Sequence, residues 1–106
     1  MTKDITKKFR MIFTAEDIKR IRISETDTGE SKITIDVHGM KCSQAKRFIG
    51  NVINLVHSAF HLVIIHGFNH GTAIKDMLAD SFENPHIVSQ YLDPMNMGVT
   101  HMQIVV

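Results

Sequence analysis

From Lys32 onward the chain alternates apolar and polar positions with a period of two, Ile33, Ile35 and Val37 interleaving with Thr34, Asp36 and His38. Successive side chains of a strand point to opposite faces, so this stretch predicts a half-buried strand carrying Asp36 and His38 on one face. Gly39 ends it. The period then becomes that of a helix: Ala45, Phe48, Ile49, Val52, Ile53 and Val56 fall at i, i+3, i+4, i+7, i+8 and i+11, a single apolar stripe. Ser43 is the predicted N-cap. Gly50 inside that helix costs about 1 kcal/mol relative to alanine, which suggests that a neighbour packs closely against it. Leu62 to His66 is a short apolar β-type run closed by Gly67, and a strand, helix and strand of this length predict a βαβ unit with parallel strands. Ile74, Met77, Leu78 and Phe82 return to helical spacing, with Thr72 as cap and Pro85 beyond, so a second helix should stop near Phe82. Two more β-type stretches, Ile87 to Leu92 and Val99 to Val106, flank a turn holding Pro94, Asn96 and Gly98.

The front of the chain is less regular. Residues 1–13 show no clear period and read as an extension. Thr14 followed by Asp17 has the form of a helix start, whereas the spacing of Ile18, Ile21 and Ile23 argues for a strand by Arg22, so residues 15–20 stay open. Asp27, Thr28 and Gly29 are turn chemistry between Ile21–Glu25 and Lys32–His38, which predicts an antiparallel hairpin. The expected fold is therefore α/β, a βαβαββ core over residues 32–106 behind a basic extension and an extra strand within residues 1–31.

At 106 residues and 43% hydrophobic the chain fits one small domain, and the absence of repeats or low-complexity runs argues against wholesale disorder. Cys42 is the only cysteine, which excludes an intrachain disulfide, and no apolar secretory run opens the sequence, so the expected compartment is the reducing cytoplasm. The longest apolar stretch, Leu62 to Ile65, falls far short of the roughly 20 residues that cross a bilayer, and no membrane attachment is expected. Net charge is only +1, yet up to Arg22 seven basic residues face three acidic ones, a local +4 that leaves −3 to the remainder. Such an asymmetry suits an arm that touches phosphates, and equally a solvated start.

Open α/β sheets place ligands at the carboxyl ends of their parallel strands. Here both strand ends are His-Gly: His38-Gly39 precedes the first core helix and His66-Gly67 the second. Unpaired N–H groups and the macrodipole at helix N-termini favour an anion, and Gly39, Gly67 and Gly71 let backbone approach one closely. Asn69, His70 and Thr72 add donors between the glycines and the helix, while Lys41, Lys46 and Arg47 add positive potential. Imidazole titrates near neutrality, so His38 is a candidate general acid or base, with Asp36 to orient it or hold a cation. The blander alternative is a hydrogen-bonded strand end. Seven histidines invite a metal site of His38, His66, His70 and Asp36, but the tight Cys/His pairing of structural zinc is missing, and His57, His61, His86 and His101 are scattered. Cys42 lies near a helix N-terminus, a setting that activates thiols, although a lone thiol is more often inert. No nucleophile elbow, Walker loop or Rossmann fingerprint is present.

The stretches IDVHG at 35–39, Gln44-Ala45 opening a helix, VIIHGFNHGTAIKDML at 63–78 and the terminal GVTHMQIVV together resemble the Smr (small MutS-related) domain family over residues 32–106. Members are similar in a first motif of aspartate, one residue and histidine-glycine, a second of histidine or threonine followed by glycine, any residue and glycine, and a glycine-rich last strand. The resemblance implies a two-layer α/β sandwich with a mixed sheet, like the carboxyl-terminal domain of translation initiation factor three. It implies DNA or RNA as partner and, in some members, endonuclease activity. Asp36 and His38 match the first motif, His66 and Gly67 the start of the second, and Gly71 its later glycine, so the implied catalytic set is Asp36, His38 and His66. Asn69 stands where the family places a second glycine, and Phe68 replaces a basic or small residue. Retention of Asp36 and His38 favours cleavage; Asn69 favours a non-catalytic module for structured nucleic acid or a ribosome surface. A divalent cation such as magnesium is the candidate cofactor, and the oligomeric state stays open.

Overall fold

The computed structural model describes residues 2–68 and 71–106. Along the chain the elements are α1 (Thr2–Ile12), α2 (Ala15–Ile18), β1 (Ile21–Glu25), β2 (Ser31–Asp36), α3 (Cys42–Leu55), β3 (Phe60–Ile65), α4 (Ala73–Asp80), β4 (Ile87–Leu92) and β5 (Val99–Ile104). The five strands form one mixed sheet in the order β1-β2-β3-β5-β4. β2 and β3 run parallel, with Ile33 opposite Leu62 and Asp36 opposite Ile65, and every other neighbouring pair is antiparallel. From β2 onward the order is the expected βαβαββ, and β1 is the extra strand.

The core follows from strand alternation. Ile33, Ile35, Leu62, Ile64, Met102 and Ile104 are all at most 1% exposed and cluster with Phe48, Ile49, Val52 and Ile53 of α3 and Ile74, Met77 and Leu78 of α4. The intervening positions of the three central strands, such as Lys32, Thr34, His61, His101 and Gln103, take the opposite face.

The segment read as an extension carries a helix instead: Ile5 and Phe9 of α1 are 5% and 1% exposed within the core, while Lys7, Lys8 and Arg10 face solvent. The Phe9 ring meets Phe13 edge-on at 5.5 Å, and Phe13 meets Phe48 of α3 at 5.3 Å. An apolar pair four residues apart among basic residues is too sparse a stripe to declare a helix, and burial against α3 supplies what propensity lacks. The open segment resolves as Thr14 capping α2, its Oγ1 accepting from the Asp17 N–H at 3.1 Å. Two further expectations are corrected. Lys41, not Ser43, occupies the N-cap of α3, with no side-chain cap. Gly50 is not tightly packed, since an added Cβ would meet nothing within 4 Å.

Candidate functional site

Because β2 and β3 are parallel, their carboxyl ends share one sheet edge, and pairing runs on past β2 through the Val37 N–H to the Ile65 carbonyl at 2.9 Å. Both strands are then broken by glycines in the left-handed region, Gly39 at φ 81° and Gly67 at φ 72°, which other residues adopt only at a cost. The two turns meet: a Cβ on Gly67 would stand 3.7 Å from the His38 Cβ. The two helices that follow also start side by side, Cys42 Sγ lying 3.8 Å from the Ala73 carbonyl oxygen. A cleft of about 480 Å³ opens here, walled by His38, Gly39 and Met40 on one side and by Ile65 to Phe68, Gly71, Ala73 and Ile74 on the other.

His38 and His66 share this edge but differ in state. His38 is 65% exposed in its side chain, and its Nδ1 bonds to Asp36 Oδ1, which also accepts the His38 backbone N–H at 3.1 Å. A carboxylate only accepts, so Nδ1 carries the proton and the neutral ring keeps a lone pair on Nε2, which has no partner among the described residues. An oriented, exposed imidazole of this kind can take or return a proton. His66 is 6% exposed, with both nitrogens engaged: Nδ1 donates to the Gly67 carbonyl at 2.8 Å, and Nε2 accepts from the Thr100 hydroxyl at 2.8 Å. Its ring is tied inside the fold, as a brace between β3 and β5.

The glycine loop is braced as well. The Gly98 carbonyl accepts from His66 N–H at 2.9 Å and Gly67 N–H at 3.0 Å, so the Gly67 amide assigned to phosphate is already spent. Gly98 packs tightly on this turn, since a Cβ there would lie 3.1 Å from the Gly67 Cα. Thr72 is the N-cap residue of α4, yet its hydroxyl bonds to Asp76 Oδ2 at 2.8 Å and caps no backbone N–H. Lys41 is exposed beside Met40 in the cleft wall; Lys46 and Arg47 are exposed on α3 and are not among the cleft walls. Asn69 and His70, expected to contact a ligand, lie outside the described residues.

In the sequence Arg20 is only one of the seven basic residues up to Arg22; the structure brings it to the site. Its guanidinium Nη1 donates to the Asp36 carbonyl at 3.1 Å and the His38 carbonyl at 3.5 Å, while its own carbonyl accepts the Asp36 N–H at 2.9 Å. The contact spans the β1–β2 hairpin, so only strand pairing brings it to the site; no local motif marks it. Among the described residues no group of three metal-ligating side chains assembles. The scattered histidines do make one connection, on the helix-free sheet face: Asp93 Oδ2 accepts from His101 Nε2 at 2.6 Å, and His101 Nδ1 lies 2.9 Å from His61 Nε2. Tyr91 stacks on His101 at 4.9 Å. Burial, then the neighbouring His101 and Lys32, hold the His61 pKa below its ordinary value. The His101 hydrogen bond, then the Met95 N–H, holds the Asp93 carboxyl below its own.

No helix among the described residues is long and apolar enough to cross a membrane. No family model, curated protein or solved structure matches the chain.

Proposed function

We propose that this chain is an Smr-like nucleic-acid-binding domain that holds a phosphodiester where β2 and β3 end, with His38 as the proton-transfer residue of an endonuclease. The observation that carries this reading is the Asp36–His38 pair at a cleft between two helix N-termini. Phosphoryl chemistry depends on positioning and charge stabilisation, and the two helix N-termini contribute to both. Asp36 fixes the tautomer, Arg20 clamps the backbone that carries both residues, and His66 braces the floor of the site in place of the catalytic role the resemblance implies. The cofactor is unassigned, and magnesium enters as a variable of the test.

The test is cleavage of branched DNA and structured RNA with and without magnesium. His38→Ala and Asp36→Ala should each lower turnover by about 10²- to 10⁴-fold, the ordinary worth of a general acid or base, with salt-sensitive binding retained. Undiminished cleavage by the double variant would refute the assignment. A second reading, a module that binds structured nucleic acid or a ribosome surface without cutting, draws on one observation: the Gly67 amide is bonded to Gly98 and is not free for a transition-state oxygen. Binding by a wild type that cuts none of these substrates would favour it.

A further inference from the structure

We infer that the cleft takes an unpaired nucleobase stacked on Phe68, so that the domain engages single strands and loops in preference to continuous duplex; this rests on the nucleic-acid reading above. Five of the residues that line the cleft, Met40, Ile65, Phe68, Ala73 and Ile74, are apolar, and among the described residues its lining holds no lysine, arginine or carboxylate. A phosphate drawn in against these side chains, away from the helix N-termini, would lose its hydration without a charged side chain to replace it. A planar ring with apolar faces loses little there, and about 480 Å³ lies within the usual range of small-ligand sites, about 300–1,000 Å³.

Phe68 is the second observation. Phe9, Phe48 and Phe60 are at most 5% exposed, whereas Phe68 is 44% exposed and lines this cleft, an aromatic ring held out of the core beside an apolar cavity. Charge decides which way round a ligand sits. The exposed His38 lies in the lining and the exposed Lys41 follows Met40 just outside it, which sets a hydrogen-bonding and a cationic group on the solvent side of the apolar residues. Base inward and phosphate outward is the polarity of a nucleotide. A paired base has both faces covered and its edge occupied, so only an unpaired or extruded base can enter.

The chain has no tryptophan, so Phe68→Trp installs a single reporter at the wall. Twelve-nucleotide single strands of DNA and RNA, and the same sequences fully paired, are titrated into Phe68→Trp while its fluorescence is followed. Anisotropy of the labelled oligonucleotides then gives the affinities of wild type and Phe68→Ala. Stacking is worth about 1–3 kcal/mol per base, so Phe68→Ala should bind the single strands about 5- to 150-fold more weakly and leave duplex affinity and the melting temperature unchanged. Single strands should quench the tryptophan and duplex should not. Equal quenching by both forms, or wild-type affinity of Phe68→Ala for single strands, overturns the base-stacking inference while nucleic-acid binding stands. Absence of binding of every oligonucleotide to wild type at low salt overturns both readings together.

Discussion

Thr100→Val isolates the brace that holds the second strand end. Thr100 is 4% exposed, and its hydroxyl donates to His66 Nε2 at 2.8 Å, while the other ring nitrogen is committed to the Gly67 carbonyl. Valine keeps the shape and removes only the donor, which leaves a buried acceptor without water or partner. The penalty for such an orphan is about 1–3 kcal/mol, and the added methyl recovers part of it, so a net loss of about 1–2 kcal/mol is expected. For a domain of this size each kcal/mol moves the melting temperature by about 4–8 °C, giving a fall of roughly 4–16 °C in thermal unfolding followed by circular dichroism. Urea unfolding should report the same loss with an unchanged m-value. The stronger test is the cycle with His66→Leu: once the acceptor is gone, Thr100→Val should cost almost nothing, because replacing both partners by apolar groups removes the unmet bond. Equal cost in both backgrounds would refute the brace and return His66 to the list of catalytic candidates.

Phe9→Ala should cost about 3–5 kcal/mol in urea unfolding, the usual loss for a phenylalanine fully buried in a core, and a cost below about 1 kcal/mol would make α1 a dispensable arm. His61 has its pKa lowered, so on acidification below about pH 6.5 the unfolded chain takes up the proton first; stability is full above that pH and falls as pH drops towards the folded value. Around His61 stand His101, Lys32, Glu30 and Gln103, and His61→Phe should flatten the stability profile between about pH 6.5 and the Asp93 range near 3.8, where loss of the lowered Asp93 carboxylate begins to destabilise the fold in the same direction. A profile unchanged by His61→Phe would show that another group governs that window.

The sequence by itself determined everything that depends on local periodicity. Ile33, Ile35 and Val37 declare β2 because a strand repeats every two residues, and Ala45 to Val56 declare α3 because a helix repeats every 3.6; their succession then forces a parallel βαβ unit. That unit alone places Asp36, His38, Gly39, His66 and Gly67 at one edge, so the location of the candidate site was legible. What was not legible depends on partners distant in sequence. Ile5 and Phe9 make a helix worth forming only when α3 is there to cover them. Arg20 reaches the Asp36 and His38 carbonyls only across a hairpin, and the Asp93–His101–His61 chain exists only because β3 and β5 pair. The two site histidines look alike as His-Gly pairs, and what separates them is Thr100, far along the chain on the neighbouring strand. It buries one ring in a closed hydrogen-bond circuit and leaves the other open, because burial and hydrogen-bond satisfaction are properties of packed surfaces and not of a motif.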